Sequence, residues 1–116
     1  MRTSSPGPFT RCGTVSLEDD AVKVTYDAGR VTHTVFIPNA GDLKGNRDAV
    51  PVPVFARGPE GSIKTGYAHR SLSGRAFMIS TTTSGGELTI EWSALQRVIH
   101  QDRQQVPVFR LNVTSL

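Results

Sequence analysis

Residues 22–26, Val-Lys-Val-Thr-Tyr, alternate strictly between apolar and polar side chains and so place Val22, Val24 and Tyr26 on one face. A period of two fits an extended strand with one buried side and fits no helix. Asp27-Ala28-Gly29-Arg30 follows as a turn, with glycine available for a positive φ. Val31 to Ile37 then returns as a second strand. This hairpin is the firmest local unit of the chain and commits it to antiparallel β-structure.

The same punctuation recurs to the C-terminus. Thr14–Leu17 reads as a short strand ended by Glu18-Asp19-Asp20, and residues 62–70 and 75–81 as two strands joined by a bend at Leu72-Ser73-Gly74. On the first of these, Ile63, Thr65, Tyr67 and His69 fall on one side, assigned to the core, with Lys64 and Arg70 on the other. Glu87–Trp92 alternates again, with Leu88, Ile90 and Trp92 facing in, and Val108–Val113 is a last strand. Val50–Phe55 also alternates, but Pro51 and Pro53 have no N–H to give a ladder, so an edge strand or an extended polyproline-like segment is expected. Pro38 to Asp48 is a long polar loop, of a length that is more often functional than incidental.

At Ser93 the period changes. Ser93-Ala94-Leu95-Gln96 matches a capping box, and Ala94, Leu95, Val98 and Ile99 form a helical apolar stripe that stops before Pro107. The expected fold is therefore mainly β: an antiparallel sandwich or partly open barrel of about seven strands, with one short helix near the C-terminus. Residues 1–9, rich in Ser, Pro and Gly, are expected to be a flexible arm, and residues 10–116 a single domain.

Composition narrows the function classes. With one cysteine, Cys12, no internal disulfide can form, and the bland reading of that residue is a small buried side chain. No apolar run nears the roughly 20 residues that span a bilayer, and Met1 to Pro8 has no signal-peptide core, so no membrane partner is expected. The expected compartment is the cytoplasm, or a host cytoplasm or virion for a viral chain. Glycine-rich phosphate loops and the nucleophile-elbow motif are absent from the sequence, and no cofactor is expected.

His33, His69 and His100 stand on three separate elements, without the close pairing that announces a metal site, so no metal is expected. His33 shares the face of Val31, Val35 and Ile37, which suits a core histidine. Two His-x-Ser/Thr motifs would set two imidazoles across a phosphate as acid and base. Here His69-Arg70-Ser71 fits that pattern, whereas His33 is followed directly by Thr34.

The charge balance is modestly basic, at +3, and ten of the thirteen basic residues are arginines. Arginine suits phosphate and carboxylate through its planar fork. Lys64, Arg70 and Arg75 would line an outward sheet surface able to hold a phosphate backbone, joined on the helix side by Arg97 and Arg103. These five residues are the candidate nucleic-acid contacts of a non-enzymatic binding module, catalytic residues being unassigned. The alternative is a self-assembling or partner-binding structural protein, such as a coat or decoration subunit or an inhibitor, associating with its own copies through the Val50–Phe55 edge. A third reading is a small enzyme using histidine acid–base chemistry.

Overall fold

A computed structural model describes residues 9–45 and 50–111. The strands are β1 (Phe9–Glu18), β2 (Ala21–Ala28), β3 (Val31–Ile37), β4 (Val52–Gly58), β5 (Gly61–Arg70), β6 (Ala76–Thr81), β7 (Leu88–Glu91) and β8 (Gln105–Leu111), with one helix, α1 (Trp92–Ile99), between β7 and β8. Each strand pairs antiparallel with the next, and β8 returns to β1 from Phe9↔Leu111 to Ser16↔Gln105, so the sheet closes into an eight-stranded barrel. The barrel, not the sandwich, is the architecture formed. Residues 1–8 of the expected arm lie outside the described residues, and Phe9 already belongs to β1.

Alternation fills the interior. Val15, Val24, Val35, Ile79, Leu88, Ile90 and Val108 are almost wholly buried, as is Val54 from the proline-bearing strand. These inward side chains belong to one core cluster that fills the barrel. At one end α1 lays Trp92, Leu95, Val98 and Ile99 over the opening. A 3₁₀ turn, Ala40–Leu43, lies beside the helix, adds Leu43 to the core and is tied to the β1–β2 turn by Ala40 N–H donating to Asp20 O at 2.8 Å.

The capping box does not form. Glu91 is the N-cap residue, no side chain caps the helix, and Trp92 opens it rather than ending a strand. Its N–H instead donates to Arg75 O at 2.8 Å. Gln96 is drawn away by a tertiary partner: Nε2 donates to Leu43 O at 2.7 Å, and Oε1 accepts from Gly45 N–H at 2.9 Å. A Gln96→Leu substitution is therefore expected to cost about 1–2 kcal/mol and to release the Gly45 amide. A urea melt and the exchange rate of that amide read the two effects.

Two β-bulges set the curvature. On β1 the register runs Arg11↔Phe109 and then Gly13↔Val108, leaving Cys12 as the extra residue. On β5 it runs Phe55↔Lys64 and then Val54↔Gly66, leaving Thr65 extra. Each bulge is followed at once by a glycine. The β5 bulge also corrects the expected faces of that strand, because one inserted residue reverses the alternation. Gly66 and Ala68 point inward on its C-terminal half, whereas Tyr67, assigned to the core from the sequence, is half exposed at 51%.

The hairpin end of the barrel, opposite α1, is closed by polar groups. Tyr26 is fully buried; its hydroxyl lies 3.1 Å from Thr81 Oγ1 and 2.8 Å from Thr83 Oγ1, and its ring stacks on His33 at 5.4 Å. Arg110 reaches across the mouth, donating to Ser84 O from Nε at 3.1 Å and from Nη2 at 2.8 Å, and to Asp27 O at 2.6 Å. Ser84 itself is buried, its hydroxyl within reach of the Thr81 and Gly86 carbonyls.

Candidate functional site

The five basic residues singled out from the sequence do not share one face. Lys64 precedes the β5 bulge and pairs with the outward Phe55, while Arg70 follows it in the phase of the inward Gly66 and Ala68. The two therefore leave the strand on opposite sides. Lys64 lies on the barrel wall with its ammonium 4.4 Å over the Tyr67 ring. Arg70 stands at the helix end, its guanidinium 4.3 Å over the Trp92 ring and its Nε donating to Gly74 O at 2.8 Å.

Arg75, Arg97 and Arg103 are exposed at the same helix end. There Arg75 lines a shallow groove with Glu91 and Trp92, and Arg103 lines another with Asp19 and Gln101. Carboxylates thus interleave with the cations. The structure gathers Arg70, Arg75, Arg97 and Arg103 around α1 and leaves Lys64 apart.

Among the described residues, no three His, Cys, Asp or Glu side chains converge in a way that would hold a metal ion. His33 lies against Tyr26, His69 sits on β5 opposite Met78, and His100 is the C-cap residue of α1. Cys12 is buried, its thiol donating to Val108 O at 3.7 Å. Burial pushes that thiol above its ordinary pKa, the nearby Arg110 charge opposing the shift, which is the reverse of what a nucleophilic cysteine needs. No helix among the described residues is long and apolar enough to cross a membrane.

The feature that stands out is the wall between β3 and β4. Neighbouring pairs elsewhere in the barrel share ladders of two to seven residue pairs, but here a single pair, Phe36↔Phe55, joins the strands. The β2–β3 turn fixes which main-chain groups face β2 and which face β4. Gly29-Arg30 is a two-residue turn flanked by Ala28↔Val31, which makes that pair hydrogen bonded, and with it Tyr26↔His33 and Val24↔Val35. The main-chain groups of Val31, His33 and Val35 are thus spent on β2. Those of Thr32 and Thr34 point the other way, towards β4, with which no further ladder pair forms among the described residues.

A side-chain strap crosses this seam on the outside. The Arg57 guanidinium of β4 lies 3.8 Å over the Phe36 ring of β3 and reaches on to Glu18 of β1 at 3.0 Å, with Lys23 on the far side of the same carboxylate at 3.4 Å. Phe36 is outward in register yet only 9% exposed, since Arg57 covers it and Phe55 and Pro38 line the same groove. The hydrogen bond from Arg57, more than the Lys23 contact, holds the Glu18 carboxyl below its ordinary pKa. A depressed carboxyl pKa gives an interaction present above the unfolded value and lost as pH falls through the folded one. A carboxyl-carbon NMR titration is therefore expected to give Glu18 a low midpoint that rises in Arg57→Gln; an unchanged midpoint would refute the strap.

Nothing in the sequence marked Arg57 and Phe36 as partners. In the sequence Arg57 belongs to Arg57-Gly58-Pro59-Glu60-Gly61, a turn by composition, and Phe36 to the strand Val31–Ile37. Beside the seam, Val31 at 56% and Ile63 at 59% exposure are large apolar side chains left in solvent. Comparison with protein-family models, with curated proteins and with solved structures finds no match to this chain.

Proposed function

We propose that this chain is a non-enzymatic, self-assembling structural subunit that meets other copies through its outer wall. One observation carries the reading: a barrel filled with side chains and covered at both ends leaves the wall between β3 and β4 joined by one residue pair. With the interior given over to packed side chains, recognition falls to the surface in this reading. On that surface the seam, joined by one ladder pair among the described residues, lies beside the exposed Val31 and Ile63, apolar surface of the kind that another chain would cover.

The nucleic-acid reading competes for the same protein and separates from it by salt. Phosphate contacts release counterions, so such binding weakens steeply as salt rises, whereas burial of apolar surface does not. Size-exclusion chromatography with multi-angle scattering, run across a concentration series at low and high salt, tests the proposal. The expected result is a mass above the 12.6 kDa of one chain, persisting at high salt and without absorbance at 260 nm. A strict monomer overturns the proposal. So does a salt-sensitive mobility shift with RNA or DNA that disappears in Arg70→Ala/Arg75→Ala while the protein alone stays monomeric.

A further inference from the structure

Resting on that reading, we infer that two copies join about a two-fold axis, each placing Leu72 in an apolar groove on the wall of the other. Leu72 is the residue that the fold holds most openly in water. It is 100% exposed, whereas no other large apolar side chain among the described residues exceeds 59%. A leucine on a loose loop would mean little, but this one stands on a tightly built bend between β5 and β6. Ser71 N–H donates to Ala76 O at 2.8 Å and Gly74 N–H to Ser71 O at 2.9 Å, with Gly74 in the left-handed region at φ 79°. The Ser71 hydroxyl accepts from Ala76 N–H at 3.2 Å, and the Ser73 hydroxyl from Arg75 N–H at 3.3 Å. The backbone that carries Leu72 is thus ordered in the single chain, and little conformational entropy is left to lose on binding.

A groove that suits this knob lies on the outer wall where β7, β8 and β1 meet. Phe9 and Phe109 line it with Thr89, and Glu91 stands at its rim; its volume of about 230 Å³ is ample for one leucine side chain. A second apolar groove, over Phe36 and Phe55, is rimmed by Arg57. Charge separates the two. Leu72 arrives with the exposed Arg75 three residues away. That cation would meet a like charge in the Arg57 groove and an opposite one in the Glu91 groove. Among the described residues neither Arg75 nor Glu91 makes an ion pair, so both charges are available to a partner.

The positions of knob and groove on one copy favour a reciprocal contact. Ala76 pairs with Glu91 across β6 and β7, so the bend opens beside the end of the groove. A two-fold axis at this corner lets each Leu72 enter the opposite groove and sets Arg75 of each copy against Glu91 of the other. Every group is then used twice and the contact closes on itself, as isologous contacts do.

The test uses the full chain, with association measured by sedimentation equilibrium and the fold of each variant checked by circular dichroism and melting temperature. Leu72 is wholly in solvent, so Leu72→Asp leaves the core as it is. The expected mass of the wild type is twice the 12.6 kDa of one chain. The dissociation constant of Leu72→Asp is expected to rise about tenfold or more, the equivalent of taking a buried leucine out of the contact. Glu91→Arg is expected to weaken association and the added Arg75→Glu to restore it in part; if Glu91→Arg fails to fold, Arg75→Glu alone should weaken it. In a mixture of isotope-labelled and unlabelled wild-type chains, Leu72 methyl protons are expected to show contacts with Phe109 ring protons of the other copy. Folded Leu72→Asp that associates as tightly as the wild type, or methyl contacts to other rings, overturns this contact and leaves self-assembly standing. An open series of larger masses, all lost in Leu72→Asp, overturns the two-fold arrangement. A wild-type chain that stays monomeric removes this inference together with the proposed function, and Leu72-dependent sedimentation of that monomer with phosphatidylserine vesicles would assign the knob to a lipid surface.

Discussion

Gly66→Ala and Gly13→Ala are each expected to destabilise the barrel by about 3 kcal/mol or more, at the upper limit of what a single added methyl does in a packed site. A Cβ built on Gly66 would stand 1.8 Å from Ser80 O, and one on Gly13 the same distance from Thr25 O and 2.7 Å from Tyr26 Cα. These are main-chain atoms of the adjacent strand, so no rotamer change relieves the clash. Both glycines follow a bulge residue, Cys12 in β1 and Thr65 in β5, at points where the strand coils sharply to close the wall. A drop in melting temperature of roughly 10 °C or more is expected for each. Gly41 is the control: it has no atom within 4 Å of an added Cβ and no positive φ, so Gly41→Ala should melt within a degree or two of the wild type. A Gly66→Ala variant as stable as that control would mean the strands do not approach as described.

How far the fold was legible follows from the same bulges. Alternation located β2, β3 and β7 closely because those strands keep an unbroken period of two. It misassigned the faces of β5 because Thr65 inserts one residue between Lys64 and Gly66, and a single slip exchanges inside for outside. Tyr67 then left the core, and Lys64 parted from Arg70. The capping box at Ser93–Gln96 was a sound local expectation that lost to a distant one: the carbonyl of Leu43 and the amide of Gly45 claim the Gln96 side chain.

The candidate site was legible in its ingredients but not in its assembly. That β3 has no charge can be read from Val31 to Ile37, whereas the prolines of Val50–Phe55 suggest an edge or polyproline-like segment and the strand instead closes the barrel between β3 and β5. Where β3 and β4 touch is fixed by a lone ladder pair, Phe36↔Phe55, across a loop of more than a dozen residues. Arg57 and Glu18 are farther apart still, and surface pairs at such separations leave no periodic trace.

Tyr26 links this geometry to the closed hairpin end and gives the second large effect. Its ring is wholly buried and stacked on His33, and its hydroxyl touches Thr81 and Thr83. Gly13, directly opposite it in the β1–β2 ladder, presents no side chain on the barrel's inner face beside that ring. Removing the ring in Tyr26→Ala is expected to cost about 3–5 kcal/mol, the usual range for an aromatic side chain taken from a core. Removing only the hydroxyl in Tyr26→Phe is expected to cost about 1 kcal/mol, since the Thr81 and Thr83 hydroxyls are 3.5 Å apart and can turn to each other. Urea-denaturation midpoints for the two variants measure the split. If phenylalanine proved as damaging as alanine, the hairpin end would be held by the hydroxyl network, and Thr83→Val should then be equally damaging. If alanine cost less than about 1 kcal/mol, Tyr26 would not be packed in the mouth of the barrel at all. The expected order, with alanine far below phenylalanine and phenylalanine close to wild type, follows from an end closed chiefly by ring packing.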